Sequence, residues 1–139
     1  TITAQAMEGK MGFKESLAAR FASLALNAHH IQQTIAILKD KITPSFIRNQ
    51  AFLKKHADNI IILSGSFIDI VWPVVKNFGL KRENVYANRL LYDYDGNIHG
   101  YDRDFPLAHN QGKVLLMQQL KLTGDIVVLG DGYNDYEIK

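Results

Sequence analysis

Apolar residues in the first part of the chain recur every three or four positions, which is the period of an amphipathic helix. They are Phe13, Leu17, Phe21 and Leu24, followed by Ile31, Ile35 and Leu38. This spacing predicts that the first forty residues are helical. Thr43 and Pro44 then form a helix start signal, with threonine at the N-cap and proline at the first helical position, and predict a further helix to about Lys55.

From residue 59 onward the pattern changes to short apolar runs separated by helices. The runs 59–63 and 125–129 are rich in β-branched residues and have the length of strands buried on both faces of a parallel sheet. Between them we predict a helix from about Phe67 to Gly79, a strand over 85–90, a hairpin over 91–101 and a helix over about 110–122. Alternating strands and helices predict an α/β fold with a parallel sheet, to which the helical start adds an accessory subdomain.

Composition limits the possible function classes. The 139 residues are 47% hydrophobic and 22% charged, as is typical of a globular protein with one core. No cysteine is present, which excludes thiol catalysis, thiolate metal sites and disulfides. The net charge of +2 is dispersed, so we expect no nucleic acid and no membrane as partner. The apolar runs are too short to cross a bilayer and no signal-peptide pattern is present at the start, so we expect a cytoplasmic protein.

The residues that follow the first buried run are candidates for binding a phosphate group. Ligands of open parallel sheets bind beyond the carboxyl ends of the strands. Here the Ser64 hydroxyl and the amides around Gly65 lead into a helix, whose N-terminus favours an anion. A capping serine beside a permissive glycine would give the same pattern, and both interpretations stay open at this point.

The second run is followed by a six-residue segment, 130–135, that contains two carboxylates and one amide. Oxygen ligands of this kind suit Mg²⁺, which typically takes one or two protein carboxylates together with substrate phosphate and water. Glycine, asparagine and aspartate are also ordinary turn formers. We favour the metal interpretation, because a surface turn rarely needs two glycines and two carboxylates at the end of a central strand.

Five segments of the chain form a specific combination through their order and spacing. They are 7–13 with Ser16, Leu17 and Arg20, then 42–44, 61–65, 86–89 and 130–135. In this combination they resemble the haloacid dehalogenase superfamily of phosphatases, most closely its phosphoserine phosphatases, over nearly the whole chain. The resemblance implies a Rossmann-like parallel sheet with a small helical cap, residues 1–42 forming the cap and 43–139 part of the core. It also implies a Mg²⁺-dependent hydrolase of small phosphorylated substrates such as phosphoserine, with an aspartyl-phosphate intermediate and a place in serine biosynthesis.

The resemblance further implies roles for residues at the strand ends. Ser64 and the Gly65 amide would bind the transferring phosphoryl group, and Asp131 would ligate Mg²⁺ directly. Asp135 would hold a metal-bound water or the motif lysine, and Asn134 would lie beside the substrate. These roles suit phosphoryl transfer, which depends mostly on positioning and on charge neutralisation.

In the helical cap, the resemblance implies that Arg20 pairs with the carboxylate of the substrate, for which a guanidinium fork is well suited. Met7 and Phe13 would form an apolar wall that excludes water. Without the resemblance, Met7, Phe13 and Leu17 are typical of a helix core stripe, and Arg20 of an exposed charge.

The chain departs from the family pattern at three places. No Asp-x-Asp motif precedes the cap, so the nucleophile and one Mg²⁺ ligand are missing and the chain as written is expected to be inactive. Asp93 and Asp95 imitate that motif, but they lie in a predicted hairpin turn. Gln111 stands where the motif lysine is usual, and we favour Lys113, two residues later, as its replacement. Ser66 stands in place of a second glycine.

The missing first strand would lie between the strands that end at Ser64 and at Asp131. We therefore expect two inner sheet edges with unpaired backbone groups. The chain also begins without an initiator methionine and ends inside a predicted helix. We expect it either to be a portion of a longer polypeptide or to fill the gap by an exchanged or rearranged strand, as in a homodimer or a strand-exchanged oligomer.

Two alternative functions stay open. The chain could be a noncatalytic module that keeps the fold for binding or as an appended domain, which Gln111 and the missing nucleophile favour. It could also be a phosphatase of the same superfamily that acts on another small phosphomonoester.

Overall fold

The computed structural model describes residues 1–8, 10–130 and 132–138. In chain order the helices are α1 (Ile2–Met7), α2 (Phe13–Ala22), α3 (Ala28–Asp40), α4 (Pro44–Arg48), α5 (Gln50–Lys55), α6 (Ile68–Val75), α7 (Gly112–Leu120) and α8 (Tyr133–Tyr136). The strands are β1 (Ile62–Phe67), β2 (Val85–Asn88), β3 (Leu90–Tyr92) and β4 (Ile98–Tyr101). Short 3₁₀ turns cover Ala57–Asn59, Lys76–Phe78, Arg82–Asn84 and Pro106–Ala108.

The chain forms two compact units. The terminal unit consists of Thr1–Ala25 together with the residues from Arg103 onward, and the central unit of Leu26–Asp102. The terminal unit therefore contains α1, α2, α7 and α8, and the central unit contains the four strands with α3 to α6. The division into a cap of residues 1–42 and a core of residues 43–139 stays a prediction.

A parallel strand pair with one crossover helix forms the core of the central unit. β1 and β2 pair in parallel, with Ser64 opposite Ala87, and α6 packs against both strands. The register then shifts, so that Phe67 lies opposite Asn88 and residues 65 and 66 form a bulge. Val85 and Ala87 of β2 are buried, with Val85 only 3% exposed, which fixes β2 inside the unit.

Helix α3 packs against α6 with one apolar face. Its buried residues Ile31 and Ile35 are one turn apart on that face. The Asn27 side chain caps the helix by accepting a hydrogen bond from the His30 backbone N–H at 3.0 Å. Leu38, which the spacing assigns to the same stripe, is 39% exposed instead, so the buried stripe ends one turn before the helix does.

The antiparallel hairpin of β3 and β4 is attached to the rest of the central unit by a side chain. Tyr92 donates a hydrogen bond from its hydroxyl to Asp69 Oδ1 on α6 at 2.8 Å. Partial burial of the ring, and then this hydrogen bond, raise the pKa of Tyr92 to about 12. The hydroxyl therefore keeps its proton, and with it the contact to α6, at neutral pH.

In the terminal unit, Asn110 ties the start of α2 to the segment before α7. Its side-chain oxygen accepts a hydrogen bond from the Lys14 backbone N–H at 2.9 Å, which caps a helix whose own N-cap residue is Gly12. A Cβ at Gly12 would lie 2.8 Å from the Asn110 side chain, which explains the glycine there. Leu17 of α2 is buried, whereas Leu24 of the predicted stripe is exposed.

Most of the predicted elements are present. The helical start, the helix beginning at Pro44, β2, the hairpin and α7 lie where the pattern predicts them, and the α/β fold with a parallel strand pair is confirmed. Gly79 ends the turn after α6 with a φ of 77°, a backbone conformation that favours glycine. The helix predicted to run to Lys55 is divided at Asn49, whose side-chain amide donates to the Ser45 carbonyl at 2.8 Å and competes with the helical bonds.

The two strands predicted to be buried on both faces differ from that prediction. β1 begins at Ile62, runs through Ser64 and Gly65, and is only half-buried. The prediction of a strand over 125–129 is wrong, because this segment has no regular structure and is largely exposed. A β-branched run supplies strand propensity, but a buried strand also needs neighbours for its backbone groups, and no strand of the described residues pairs with 125–129. The expectation of two unpaired inner sheet edges stays a prediction.

Within the described ranges, no helix is long and apolar enough to cross a membrane.

Candidate functional site

The bulge in β1 carries the predicted phosphate-binding residues Ser64 and Gly65. The Ser64 Oγ accepts a hydrogen bond from the Ser66 backbone N–H at 3.2 Å. The Gly65 carbonyl accepts a hydrogen bond from Asn88 Nδ2 at 3.0 Å. Asn88 is the last residue of β2 and is fully buried, whereas Ser64 is half-buried and can meet a ligand. Side chains thus replace regular ladder bonds at this strand end.

Lys113 and Asp135 form an ion pair in the terminal unit. The Lys113 ammonium donates to Asp135 Oδ1, and the Gly132 backbone N–H donates to Asp135 Oδ2 at 3.0 Å. The two side chains are only 19% and 16% exposed, so water screens their attraction less than it would at the surface. Asp135 thus holds the Lys113 ammonium in place, and the remaining N–H groups of the ammonium can donate to an anion.

The local backbone explains why Lys113 and Asp135 meet. Gly112 begins α7, and a Cβ there would collide with the Pro106 carbonyl oxygen, so only glycine lets the helix start this close to the preceding turn. Gly130 has a similar role, because a Cβ at this position would collide with the Asp135 side chain. Gly112 therefore lets α7, which carries Lys113, begin beside the Pro106 turn, and Gly130 leaves room for the Asp135 side chain.

Gln111 and Lys113 differ in what they contact at the start of α7. Gln111 is the exposed N-cap residue of α7 and has a φ of 56°, in the left-handed region. Lys113 lies in the first turn of α7 and contacts Asp135. Because an amide carries no charge, Lys113 is the residue that brings a cation to the carboxylate of segment 130–135.

Two predicted substrate-binding residues of the cap lie on α2. Phe13 is the first residue of the helix and is half-buried. Arg20 is half-buried one turn after Ser16, and its Nε donates to the Ser16 carbonyl at 3.3 Å, so the side chain lies along its own helix. The Asn110 contact joins the start of this helix to the segment that leads to Lys113, so the terminal unit combines both groups.

The side chains of three further predicted site residues lie outside what the structure describes. Asp131, the predicted Mg²⁺ ligand, lies outside the described residues. The side chains of Met7 and Asn134 lie outside them as well, although the backbones of these residues belong to α1 and α8. Ser64 and Gly65 belong to the central unit and are described only with the neighbours given above.

Segment 93–95 resembles the Asp-x-Asp motif, but the Asp93 carboxylate accepts hydrogen bonds from its own turn. Asp93 Oδ1 accepts hydrogen bonds from the backbone N–H groups of Asp95 at 3.0 Å and Asn97 at 2.8 Å, and Oδ2 accepts one from Asn97 Nδ2 at 3.2 Å. The bonds from Asn97 are the main cause that lowers the pKa of Asp93. These contacts are typical of a residue that shapes a turn, and they do not support Asp93 as a nucleophile.

The donor chemistry of segment 130–135 fits a hard divalent cation. Mg²⁺ prefers oxygen ligands, which Asp131 and Asp135 would supply. Both Asp135 oxygens already accept a hydrogen bond, which suits this residue to hold the lysine or a metal-bound water. In residues 1–8, 10–130 and 132–138, no three His, Asp or Glu side chains form a group that could hold a metal on their own.

Sequence reasoning assigned no role to Asn88 or Asn110, although both hold the candidate site in place. A role for Asn88 could have been predicted, because an amide is unusual at the end of a buried apolar strand. Its presence there indicates a hydrogen-bond partner. Asn110 gave no such indication, because its partner Lys14 is 96 residues away in the chain.

The chain is similar to several phosphoserine phosphatases. It is 31% identical to that of Bos taurus over 139 residues, which are 98% of this chain and 62% of that protein. It is 29% identical to the chloroplastic phosphoserine phosphatase of Arabidopsis thaliana, covering 99% of this chain and 48% of that protein. The chain therefore spans between about half and two thirds of the length of these relatives.

The fold is also found among solved structures. A phosphoserine phosphohydrolase-like protein from Francisella tularensis superimposes with a TM-score of 0.76, over 99% of this chain and 64% of that chain, at 23% sequence identity. The model of the haloacid dehalogenase-like hydrolases matches residues 1–138. On the strength of a match over nearly its whole length, this chain belongs to the haloacid dehalogenase-like hydrolase family.

Proposed function

We propose that this chain carries the cap and part of the active site of a Mg²⁺-dependent phosphomonoester hydrolase. Its substrate would be a small phosphorylated acid such as phosphoserine. The observation that carries the proposal is the half-buried ion pair of Lys113 and Asp135, on the glycine-flanked segment where the family has its acidic motif. The similarity to phosphoserine phosphatases over nearly the whole chain supports this substrate class.

In the proposed reaction, the residues of this chain bind and neutralise the phosphoryl group. The Ser64 hydroxyl and the Gly65 amide donate hydrogen bonds to its oxygens, and the Lys113 ammonium balances its negative charge. Asp135 keeps the ammonium in place, since its other oxygen is fixed by the Gly132 N–H. The nucleophile of the family mechanism is not among these residues, and Asp93 is not a substitute for it.

The metal would be held by Asp131 directly and by Asp135 through a bound water. When bound, Mg²⁺ supplies charge that polarises the phosphoryl oxygens and stabilises the leaving group. Arg20 would select the substrate by pairing with its carboxylate, while Met7 and Phe13 exclude water and Asn134 lies beside the substrate.

The direct test compares two lysine-to-methionine variants of the full-length protein. We expect Mg²⁺-dependent release of phosphate from phosphoserine, and a drop of about 100-fold or more in kcat for Lys113→Met, because a fixed charge at the reacting group is lost. Lys39→Met, at the exposed end of α3, is the matched control and should keep the wild-type kcat. Equal kcat values in the two variants would contradict the role of Lys113. Asp131→Ala should also abolish activity.

A second pair of substrates tests the substrate class. Arg20→Ala should raise KM for phosphoserine about 10-fold or more, because a charge-assisted hydrogen bond to the carboxylate is lost. The KM for p-nitrophenyl phosphate, which has no carboxylate, should stay the same. If both KM values change equally, the enzyme acts on another phosphomonoester. If the wild-type protein binds inorganic phosphate and hydrolyses neither substrate, the noncatalytic module is the correct interpretation.

A further inference from the structure

The peptide group between Gly65 and Ser66 is held at both of its ends. Its carbonyl oxygen accepts a hydrogen bond from Asn88 Nδ2 at 3.0 Å, and its N–H donates to Ser64 Oγ at 3.2 Å. The C=O and N–H of one planar peptide point in opposite directions. A side chain that fixes the carbonyl therefore also fixes the direction of the N–H. Asn88 is in this way connected to the Ser64 hydroxyl through the Gly65–Ser66 peptide.

This support is needed because the strand is irregular at this place. The β1–β2 register shifts between Ser64 and Phe67, so the Gly65–Ser66 peptide is not held by a regular ladder. Gly65 has no side chain to restrict its backbone, and Ser66 is exposed. Asn88 is the opposite case, since it is fully buried at the end of β2 and its own position is fixed by the core. Asn88 thus orients the Gly65–Ser66 peptide.

The orientation of this peptide determines what the Ser64 hydroxyl can do. A hydroxyl oxygen that accepts a hydrogen bond from the Ser66 N–H has its own proton directed elsewhere. The accepted bond also polarises the hydroxyl and makes it a better donor. Both effects prepare Ser64 to donate a hydrogen bond to an anionic oxygen. Loss of the Asn88 contact would let the peptide rotate and remove both effects.

We propose that Asn88 is a positioning residue, which acts through the Gly65–Ser66 peptide to present the Ser64 hydroxyl as a hydrogen-bond donor to the phosphoryl group. The proposal rests on the proposed function, because it takes the phosphoryl group as the ligand of Ser64. It gives a role to the 86–89 segment, which so far had none.

A double-mutant cycle in the full-length protein tests this connection. Asn88→Ala should lower kcat/KM for phosphoserine about 10-fold, as expected for the loss of one oriented hydrogen bond at the reacting group. In the Ser64→Ala background, Asn88→Ala should lower kcat/KM less than about 2-fold, because the hydroxyl that it positions is absent. A merely structural role of Asn88 would give the same factor in both backgrounds, and this result would overturn the proposal.

Asn84→Ala is the matched control. The Asn84 side-chain amide also donates to a backbone carbonyl of the central unit, that of the buried residue Ala57, at 3.2 Å, and this bond lies outside the bulge. We expect Asn84→Ala to keep the wild-type kcat/KM. If Asn88→Ala fails to fold, Asn88→Leu keeps the volume of the side chain and removes the donor.

Hydrogen exchange at the Ser66 amide gives a readout that needs no activity. In Asn88→Ala this amide should exchange about 10-fold faster than in the wild type, and in Asn84→Ala at the wild-type rate. Faster exchange in a protein that does not hydrolyse phosphoserine would support the role of Asn88 and contradict the proposed function. Unchanged exchange at Ser66 in Asn88→Ala would overturn the inference, whatever the activity.

Discussion

Asp93 and Asp135 have the same side chain and differ in what their oxygens contact. The oxygens of Asp93 accept hydrogen bonds from Asp95 and Asn97 of its own turn. Those of Asp135 accept one bond from the Lys113 ammonium and one from the Gly132 backbone N–H. A carboxylate whose oxygens accept the hydrogen bonds of its own turn has a structural role, whereas one that orients a cation can take part in binding an anion. The surroundings of each aspartate therefore decide its function.

Asp93→Ala should loosen the hairpin without changing phosphate release. The turn loses the acceptor of its backbone N–H groups, so the Asn97 amide should exchange faster with solvent. In the wild type, the lowered pKa of Asp93 means that its stabilising effect is complete above the ordinary aspartate pKa of 3.8 and is lost as pH falls through the lower folded value. Amide exchange followed by NMR measures the first effect, and a carboxyl titration the second. A loss of hydrolysis in this variant would reinstate Asp93 as a nucleophile.

Ser16→Ala should stabilise the protein. Ser16 is fully buried in α2, and within the described part of the chain its Oγ has no hydrogen-bond partner. Removing a buried, unpaired hydroxyl and gaining helix propensity should raise the free energy of unfolding by about 1 kcal/mol. Urea denaturation measures it, with Ser23→Ala as control, since the Ser23 hydroxyl is exposed and donates to the Arg20 carbonyl at 2.8 Å. A lower urea midpoint for Ser16→Ala than for the wild type contradicts the expectation.

At the scale of elements, the sequence pattern predicted the features that depend on residues close together in the chain. Gly79 ends the turn after α6 and Pro44 begins a helix, as the sequence predicts, and the hairpin follows from its turn residues. The bulge in β1 could not be predicted, because it depends on the register with β2 and on the Asn88 side chain. The position of Lys113 depends likewise on the close approach of Gly112 to Pro106.

Gly112→Ala should destabilise the junction before α7. Alanine favours a helix over glycine by about 1 kcal/mol, so propensity alone would make the variant more stable. The collision of the new Cβ with the Pro106 carbonyl should outweigh this and lower the free energy of unfolding by about 1–3 kcal/mol. Gly100→Ala is the control, because the nearest atom to its Cβ would be Leu91 Cδ1 at a comfortable 3.9 Å. A more stable Gly112→Ala variant would mean that the helix start tolerates a side chain.

At the scale of the whole molecule, the sequence predicted the fold class but not which of its strands form. The runs 59–63 and 125–129 have similar composition, yet only the first contributes residues to a paired strand. The difference is the availability of a neighbour, since β1 has β2 beside it and 125–129 has no strand of the described residues. Propensity is a property of a segment, whereas burial is a property of the assembled sheet. The prediction of the candidate site also depended on which strands form, because Ser64 and Asp131 were both predicted to lie at strand ends.

The exposed segment 126–129 should make the isolated 139-residue chain self-associate. Its four apolar residues are 44% to 91% exposed, and no strand of the described residues pairs with them, so the run is a template for strand pairing with another chain. Light scattering should therefore show oligomers, either an ordered homodimer or a strand-exchanged form. Val127→Lys and Leu129→Lys should shift the chain towards the monomer by adding charge repulsion at the exposed edge. Leu24→Lys, at an equally apolar but isolated exposed position, should leave the oligomeric state unchanged. Equal scattering by all three variants would mean that association uses another surface, and a monomeric wild type would mean that 126–129 is covered within one chain.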